Sequence, residues 1–184
     1  MDSALSNSLF SRGNKFLGTT YPIMGGAMTW LSERNLVSAI SNAGGFGIIA
    51  CGSMNSEKLG EEIKATQQMT KKPFGVNLIL LHPDIDDLID CCIKKKVGLV
   101  VFAGGFPKKR QIELLKNKGI KTMCFATTLS IARKINKAVP IIAHGISANA
   151  CTVLSTSTDA HTFFAGLPHK INRRAFAISP PIVA

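Results

Sequence analysis

Paired glycines end the first apolar stretch of the sequence, YPIMGGAMTW, which follows a polar N-terminal arm. We expect Gly25 and Gly26 at the C-terminal end of a short strand. Because glycine has no Cβ, backbone N–H groups at such a strand end can approach a flat ligand that a side chain would keep away. A tight turn between a strand and a helix accounts for the pair equally well. The stretch lacks the GxGxxG pattern, so it does not predict a dinucleotide site.

The cysteine content and the charge of the chain bear on whether it binds a metal or a nucleic acid. The five cysteines show no CxxC zinc spacing and mostly have apolar neighbours, which predicts reduced thiols in small core spaces and no metal site. The net charge is +11, yet the runs Lys94–Lys96 and Lys108–Arg110 lie at predicted helix ends without interleaved aromatic residues. We therefore expect no nucleic-acid partner. The basic surface would instead attract a small anionic substrate.

Length and composition are typical of one globular domain. A chain of 184 residues with 46% hydrophobic content can fill a single core. No stretch reaches the roughly 18 uninterrupted apolar residues that a bilayer span requires, and residues 1–15 lack the apolar middle of a secretory signal. These features predict a cytoplasmic protein that does not bind a membrane.

Short β-type runs alternate with segments of helical periodicity. The runs are Pro22–Met24, Gly47–Ala50, Phe74–Leu78, Leu99–Phe102, Lys121–Phe125 and Pro140–Ala143. Between the first two, an apolar helix face ends at Ala43, and Gly44 suits a left-handed helix cap before the buried strand GIIA. Such a βα series winds either an open parallel sheet or a (β/α)8 barrel, and the spacing alone does not decide between them.

Four stretches of the chain resemble the nitronate monooxygenase family, formerly called 2-nitropropane dioxygenases, whose relatives include flavin-dependent enoyl-ACP reductases. The stretches are PIMGGAMTWLS, LVSAISNAGGFGIIACGSM, KKPFGVNLILL and AGGFP, and they follow the family's order between Pro22 and Lys137. The resemblance implies a TIM barrel that binds FMN at the C-terminal ends of its strands. It also implies oxidation of alkyl nitronates with O2.

The resemblance assigns the flavin-side residues. Met24, Gly25 and Gly26 correspond to the family's first-strand loop, whose backbone lies against the flavin ring. Asn77, in PFGVNL, corresponds to an asparagine whose amide contacts FMN. A carboxamide at a strand end would offer both a donor and an acceptor to the polar edge of a ligand.

Two further groups of candidates follow from the resemblance. Gly104 and Gly105 fall in the loop where similar enzymes have small residues beside the flavin or the substrate. The stretch Ser147–Cys151 stands where the family has EAGGH, so the family's histidine is absent and the catalytic residue is unknown. His144 and Cys151 are weak candidates for it, and Cys151 would need a nearby cation to lower its pKa.

The resemblance divides the chain into an arm at residues 1–20, βα units of the FMN-binding barrel at 21–137 and a divergent segment at 138–184. A closed barrel needs about 250 residues, so we expect an incomplete barrel of five to six strands. Its open edges predict self-association or pairing with a complementary C-terminal polypeptide.

Two alternatives to a nitronate monooxygenase stay open. One is a noncatalytic remnant of such an enzyme, which the missing histidine favours, together with Pro180 and Pro181 in the place of a family glycine pair. Proline has no N–H group to offer to a phosphate. The other alternative is a flavin-dependent protein that resembles the enoyl-ACP reductases.

Overall fold

The computed structural model describes residues 10–11, 13–126, 141–144 and 151–154, in two compact units, Met1–Cys124 and Phe125–Ala184. The helices described are α1 (residues 10–11 and 13–17), α2 (Arg34–Asn42), α3 (Ser56–Met69), α4 (Ile85–Lys94) and α5 (Lys109–Asn117). The strands are β1 (Gly47–Ala50), β2 (Phe74–Ile79), β3 (Leu99–Ala103), β4 (Lys121–Ala126), β5 (Ile141–His144) and β6 (Cys151–Leu154). None of the helices in this part of the chain is long and apolar enough to cross a membrane.

Strands β1 to β4 pair in chain order, and every pairing among them is parallel. A helix connects each strand to the next, so the predicted βα series is confirmed, and five of the six predicted strands lie within a residue of their expected bounds. The first predicted strand is reduced to one parallel bridge between Met24 and Phe46. Gly44 has a φ of 91°, as expected for the left-handed end of α2.

The register of the sheet determines which side chains share a face. A Cβ on Gly47 would lie 2.3 Å from the carbonyl oxygen of Val37 in α2, so this residue faces the helix layer. The alternate residues of β1 face the other way, and the register places Ala50 beside Asn77 and Asn77 beside Val101. Residues on both faces are buried, as in other parallel sheets.

The helix layer is held together by an ion pair between α2 and α3. The Arg34 guanidinium lies 2.5 Å from Oε1 of Glu62, and the backbone N–H of Arg34 donates to Oε2 of the same carboxylate at 3.2 Å. Glu62 is buried and holds the first turn of α2, while the side chain of Glu33 caps that helix by accepting from two backbone N–H groups.

In the second unit, β5 and β6 form an antiparallel pair. Ile141 lies opposite Leu154, and His144 lies opposite Cys151. The sequence analysis predicted the first strand of this pair within one residue but did not predict β6. A (β/α) series continues with parallel strands, so this hairpin does not extend the series.

Candidate functional site

The C-terminal ends of the parallel strands meet at one edge of the sheet, which we call the mouth. It consists of loops 25–32, 51–52, 80–84 and 104–106. Ile79 joins three of these loops: a Cβ on Gly52 would lie 2.5 Å from its Cδ1, and a Cβ on Gly104 would lie 3.3 Å from its Cγ2. The Gly52 position is also 3.7 Å from Oγ1 of Thr29 in the first loop. The loops therefore form one contiguous surface.

The two glycines of the first loop have different surroundings. The N–H of Gly25 donates to the carbonyl of Phe46 at 2.9 Å, and a Cβ on Gly25 would lie 2.5 Å from Cδ1 of Ile40. Gly26 is exposed, and among the described residues a Cβ there would meet no atom within 4 Å. Packing within the protein therefore accounts for Gly25, whereas it gives no reason for glycine at position 26.

Backbone donors are available beside this open position. Within residues 13–126, no acceptor lies against the N–H of Gly26 or of Ala27. These backbone donors are therefore available to a ligand that carries acceptors on its edge. The geometry suits a flat heterocycle that approaches the backbone closely.

Asn77 lies below the mouth and not at the end of its strand as the sequence analysis expected. It is the fourth of six residues in β2, because Leu78 and Ile79 continue the strand. The side chain is on the same face as Ile79 and is 7% exposed, and its Nδ2 donates to the carbonyl of Val101 at 3.2 Å. In the part of the chain that the structure describes, no group donates to Oδ1, which leaves one strong acceptor for a ligand.

The remaining glycine pair forms the loop after β3. Gly104 and Gly105 have φ angles of 77° and 148°, a region that other residues rarely adopt. The carbonyl of Gly105 accepts a weak hydrogen bond from the thiol of Cys124 at 3.6 Å. The turn itself therefore requires glycine at both positions, whether or not a ligand binds there.

His144 and Cys151 are brought together by the structure, but in the second unit. They are register partners in the antiparallel pair of β5 and β6. Their side chains lie outside the described part of the chain, so their roles stay predictions.

Four cysteine thiols are buried in the core of the described chain. Burial raises the pKa of Cys51 to about 12 and that of Cys124 to about 11. Burial also raises the pKa values of Cys91 and Cys92, and Cys51, Cys91 and Cys92 are free thiols. The prediction of reduced cysteines in the core is confirmed for these three, and a protonated thiol is a poor nucleophile.

Sequence reasoning missed two polar residues at the mouth. Ser32 is 4% exposed and hydrogen-bonds to the backbone of the first loop. His82 is half-buried, and its Nδ1 accepts from the backbone N–H of Asp84 at 3.1 Å, so it resembles a cap for the start of α4. The sequence signal for His82 is its place three residues after the apolar strand that ends at Ile79.

Large apolar side chains project from the loops of the mouth. They are Met28, Trp30, Leu31, Leu81 and Phe106, with 47% to 82% of each residue exposed. Trp30 also has an unusual φ of 71°. This set, the apolar rim, suits a ligand or substrate with an apolar part.

A separate cavity of about 280 Å³ lies at the opposite, N-terminal ends of the strands. Phe46, Phe74 and Leu99 give it apolar walls, and Lys72 and Lys121 lie at its margin. It shares no residue with the mouth, so it is not part of the candidate site.

Comparisons with known proteins identify the family and the fold of the chain. A sequence model of the nitronate monooxygenase family matches residues 11–130. A probable nitronate monooxygenase of Staphylococcus saprophyticus is 30% identical over 159 residues, which cover 67% of this chain and 45% of the relative. The (3aS,4S,5R,7aS)-5-hydroxy-7a-methyl-1-oxo-octahydro-1H-indene-4-carboxyl-CoA dehydrogenase of Mycobacterium tuberculosis is 33% identical over 121 residues, or 66% of this chain and 34% of that protein.

Solved structures show the same similarity in three dimensions. FabK from Thermotoga maritima has a TM-score of 0.71 and 39% identity, over 73% of this chain and 44% of FabK. The nitroalkane oxidase from Streptomyces ansochromogenes has a TM-score of 0.67 and 25% identity, over 73% and 48% of the two chains. The predicted α/β fold of the TIM-barrel type is confirmed. The chain spans about a third to just under half of the length of these curated relatives.

Proposed function

Because the chain belongs to the nitronate monooxygenase family of flavin-dependent oxidoreductases, we propose that it is an FMN-dependent enzyme that oxidises alkyl nitronates with O2. The observation that carries the proposal is the open position at Gly26, where two backbone N–H groups without an acceptor among the described residues lie beside a gap that a ligand can fill. Nothing in the packing of the described residues explains a glycine there. A flat ring lying against the backbone does explain it.

In this proposal the chain holds FMN with the residues of the mouth. The backbone of Met24, Gly25 and Gly26 lies against the ring, and the N–H groups of the loop donate to its polar edge. Asn77 presents its free Oδ1 from below. Gly104 and Gly105 form the neighbouring wall, where the absence of side chains leaves room for the substrate.

When bound, FMN supplies the electron transfer between the substrate and O2. The chain's own contribution is position, exclusion of water and charge. The apolar rim would cover the reacting face and lower the local dielectric. The net charge of +11 would attract the nitronate anion from solution.

The test begins with the full 184-residue chain purified without added flavin and then reconstituted with FMN. We expect a yellow protein that retains FMN at one equivalent and consumes O2 when an alkyl nitronate is added. Heat-denatured chain and free FMN are the controls for O2 uptake. A folded chain that retains no flavin after reconstitution would contradict the proposal and support a noncatalytic remnant.

A second candidate function keeps the cofactor and changes the substrate. The relative from Mycobacterium tuberculosis is named as a dehydrogenase of a carboxyl-CoA, and the apolar rim would suit the hydrocarbon part of an acyl thioester. An enoyl thioester with a nicotinamide donor therefore belongs in the same assay. Reduction of the thioester without nitronate-dependent O2 uptake would favour the enoyl-ACP reductase-like alternative.

The proposal includes a partner for the sheet. A closed barrel of this type has eight parallel strands, and the described part of the chain has four. We propose that self-association or a complementary C-terminal polypeptide covers the remaining edge. Light scattering during size-exclusion chromatography tests this, and a monodisperse monomer with a cooperative melting transition would contradict it.

A further inference from the structure

One buried hydroxyl holds the first loop of the mouth at two points. Oγ of Ser32 donates to the carbonyl oxygen of Gly26 at 2.9 Å and accepts from the backbone N–H of Met28, also at 2.9 Å. A serine hydroxyl can donate once and accept twice, so a single side chain serves both contacts. Ser32 is 4% exposed, and water does not readily replace it.

The backbone of Ser32 ties the same loop to the sheet. Its carbonyl oxygen accepts from the N–H of Ala50 at 3.0 Å, at the last residue of β1. Its N–H donates to the carbonyl of Met28 at 2.8 Å. The hydroxyl is therefore fixed relative to the strand ends, and the loop is fixed relative to the hydroxyl.

The helix that follows does not use this side chain. Glu33, and not Ser32, caps α2 by accepting from the N–H groups of Asn35 and Leu36. Serine before a helix is ordinarily explained as a cap, and that explanation is excluded here. The contacts of the Ser32 hydroxyl are with the loop alone.

These contacts determine which backbone groups of the loop face the open side. With its carbonyl bound to Ser32, the peptide plane between Gly26 and Ala27 has one orientation, which turns the N–H of Ala27 away from the Ser32 hydroxyl. Neither this N–H nor that of Gly26 has an acceptor in the described chain, and no described atom lies within 4 Å of the Cβ position of Gly26. The loop is thus held in a form that is open to a ligand before the ligand arrives, which reduces the entropy lost on binding.

We propose that Ser32 is the positioning residue of the flavin-binding loop: it holds Gly26 and Met28 so that the N–H of Ala27 meets the edge of the ring. It acts through the loop and does not touch the flavin. The inference rests on the proposed function, since it assigns Ser32 a role in FMN binding. Its effect on the loop is measurable without flavin.

The experiment compares four forms of the full chain: wild type, Ser32→Ala, Ser32→Thr and Ser38→Ala. Ser38 is the matched control, because it is also 4% exposed and its hydroxyl donates to Asn35 within α2, away from the loop. FMN is titrated while the emission of Trp30 is followed, the single tryptophan of the chain, which lies on this loop. Exchange of the Met28 amide hydrogen is followed by NMR in the flavin-free proteins.

We expect Ser32→Ala to raise the Kd for FMN about tenfold, the effect of losing about one net hydrogen bond to the loop. Ser32→Thr keeps the hydroxyl and should restore binding, and Ser38→Ala should bind as wild type does. The Met28 amide should exchange faster in Ser32→Ala alone. A purely structural role would lower the melting temperature equally in Ser32→Ala and Ser38→Ala, and it would leave the Kd of the folded protein unchanged.

Wild-type FMN affinity in a folded Ser32→Ala chain would overturn the inference. If that variant does not fold, Ser32→Cys keeps the volume with a weaker hydrogen-bonding group, and wild-type affinity there has the same meaning. If the wild-type chain binds no FMN, the proposed function fails, and Met28 exchange alone decides whether Ser32 holds the loop. An unchanged rate of Met28 amide exchange in Ser32→Ala would show that Ser32 does not hold the loop.

Discussion

Glycines near the two ends of the parallel strands have different reasons to be glycine. At the N-terminal ends, a Cβ on Gly47 would lie 2.3 Å from a backbone oxygen of α2, and one on Gly75 would lie 2.9 Å from the carbonyl of Leu99. At the C-terminal ends, a Cβ on Gly25 or Gly52 would lie 2.5 Å from the terminal methyl of an isoleucine, and one on Gly26 would meet no described atom within 4 Å. Contact with rigid backbone explains glycine at the N-terminal ends, and contact with a flexible side chain explains Gly25 and Gly52, whereas Gly26 leaves open space for a ligand.

The largest expected effect is at the packed end. Gly47→Ala would push a methyl group against the backbone of Val37, which cannot move without displacing α2, so we expect a loss of about 3 kcal/mol in the free energy of unfolding. Gly98→Ala is the control, because Gly98 precedes β3 and has no atom within 4 Å of its Cβ position. Urea unfolding measures both. Equal stability of the two variants would contradict the claim that close packing requires glycine at the N-terminal ends of the strands.

The helix layer is sensitive to loss of the ion pair between the partly exposed Arg34 and the buried Glu62. The Arg34 guanidinium lowers the pKa of Glu62 below its ordinary value of 4.5, chiefly through its hydrogen bonds. The folded form therefore prefers the ionised carboxylate. This stabilisation is complete above the ordinary value and is lost as the pH falls through the lower, folded value.

Glu62→Gln should therefore cost about 1 kcal/mol at neutral pH, because solvent screens the partly exposed Arg34, and the difference from wild type should shrink as the pH falls below 4.5. Glu61→Gln is the control, since its pair with Lys58 is exposed on the same helix at 3.5 Å. Urea unfolding at several pH values measures the effect. A constant difference at every pH would contradict the role of the Glu62 charge.

At the open end, substitution of Gly26 should alter binding and not stability, unlike substitution of its neighbour Gly25. Gly26→Ala places a methyl group in the gap where we expect the ring, and should weaken FMN binding about tenfold with an unchanged melting temperature. Gly25→Ala meets the flexible end of Ile40 and should lower stability by about 1 kcal/mol. A Gly26→Ala chain with a lowered melting temperature and wild-type FMN affinity would contradict the assignment of this position to ligand binding.

The smallest expected effect concerns the thiols behind the mouth. Because burial raises the pKa of Cys51 to about 12, its thiolate is scarce at pH 8. We expect iodoacetamide to leave Cys51 and Cys92 unlabelled in the folded chain and to label both in urea. Mass mapping of peptides separates these sites from the other cysteines. Rapid labelling of native Cys51 would show that the strand ends open to solvent.

Local patterns predicted the strands better than the site. The runs at Gly47–Ala50 and Phe74–Leu78 were found because buried strands and amphipathic helices have different periods along the chain. The different roles of Gly25 and Gly26 depend on Ile40, which α2 brings across the loop. The contact between Gly25 and Ile40 cannot be predicted from the spacing of residues in the sequence.

Two other features of the mouth show the same limit. Asn77 was expected at a strand end, but β2 continues for two residues because β3 pairs with it along that length. Ser32 precedes a helix and so resembles a cap in sequence, while its actual contacts are with Gly26 and Met28. A loop conformation decides such contacts, and residue types alone do not specify it.

The central claim is that the mouth, and not the cavity at the other end of the strands, holds the flavin ring. An NMR titration of the labelled full chain with FMN tests it directly. We predict that the amide signals of Gly26 and Ala27 and the side-chain amide of Asn77 shift on binding, while those of Gly98 and Lys121 do not. Shifts confined to the residues that line the 280 Å³ cavity, or no shifts at all, would contradict the account.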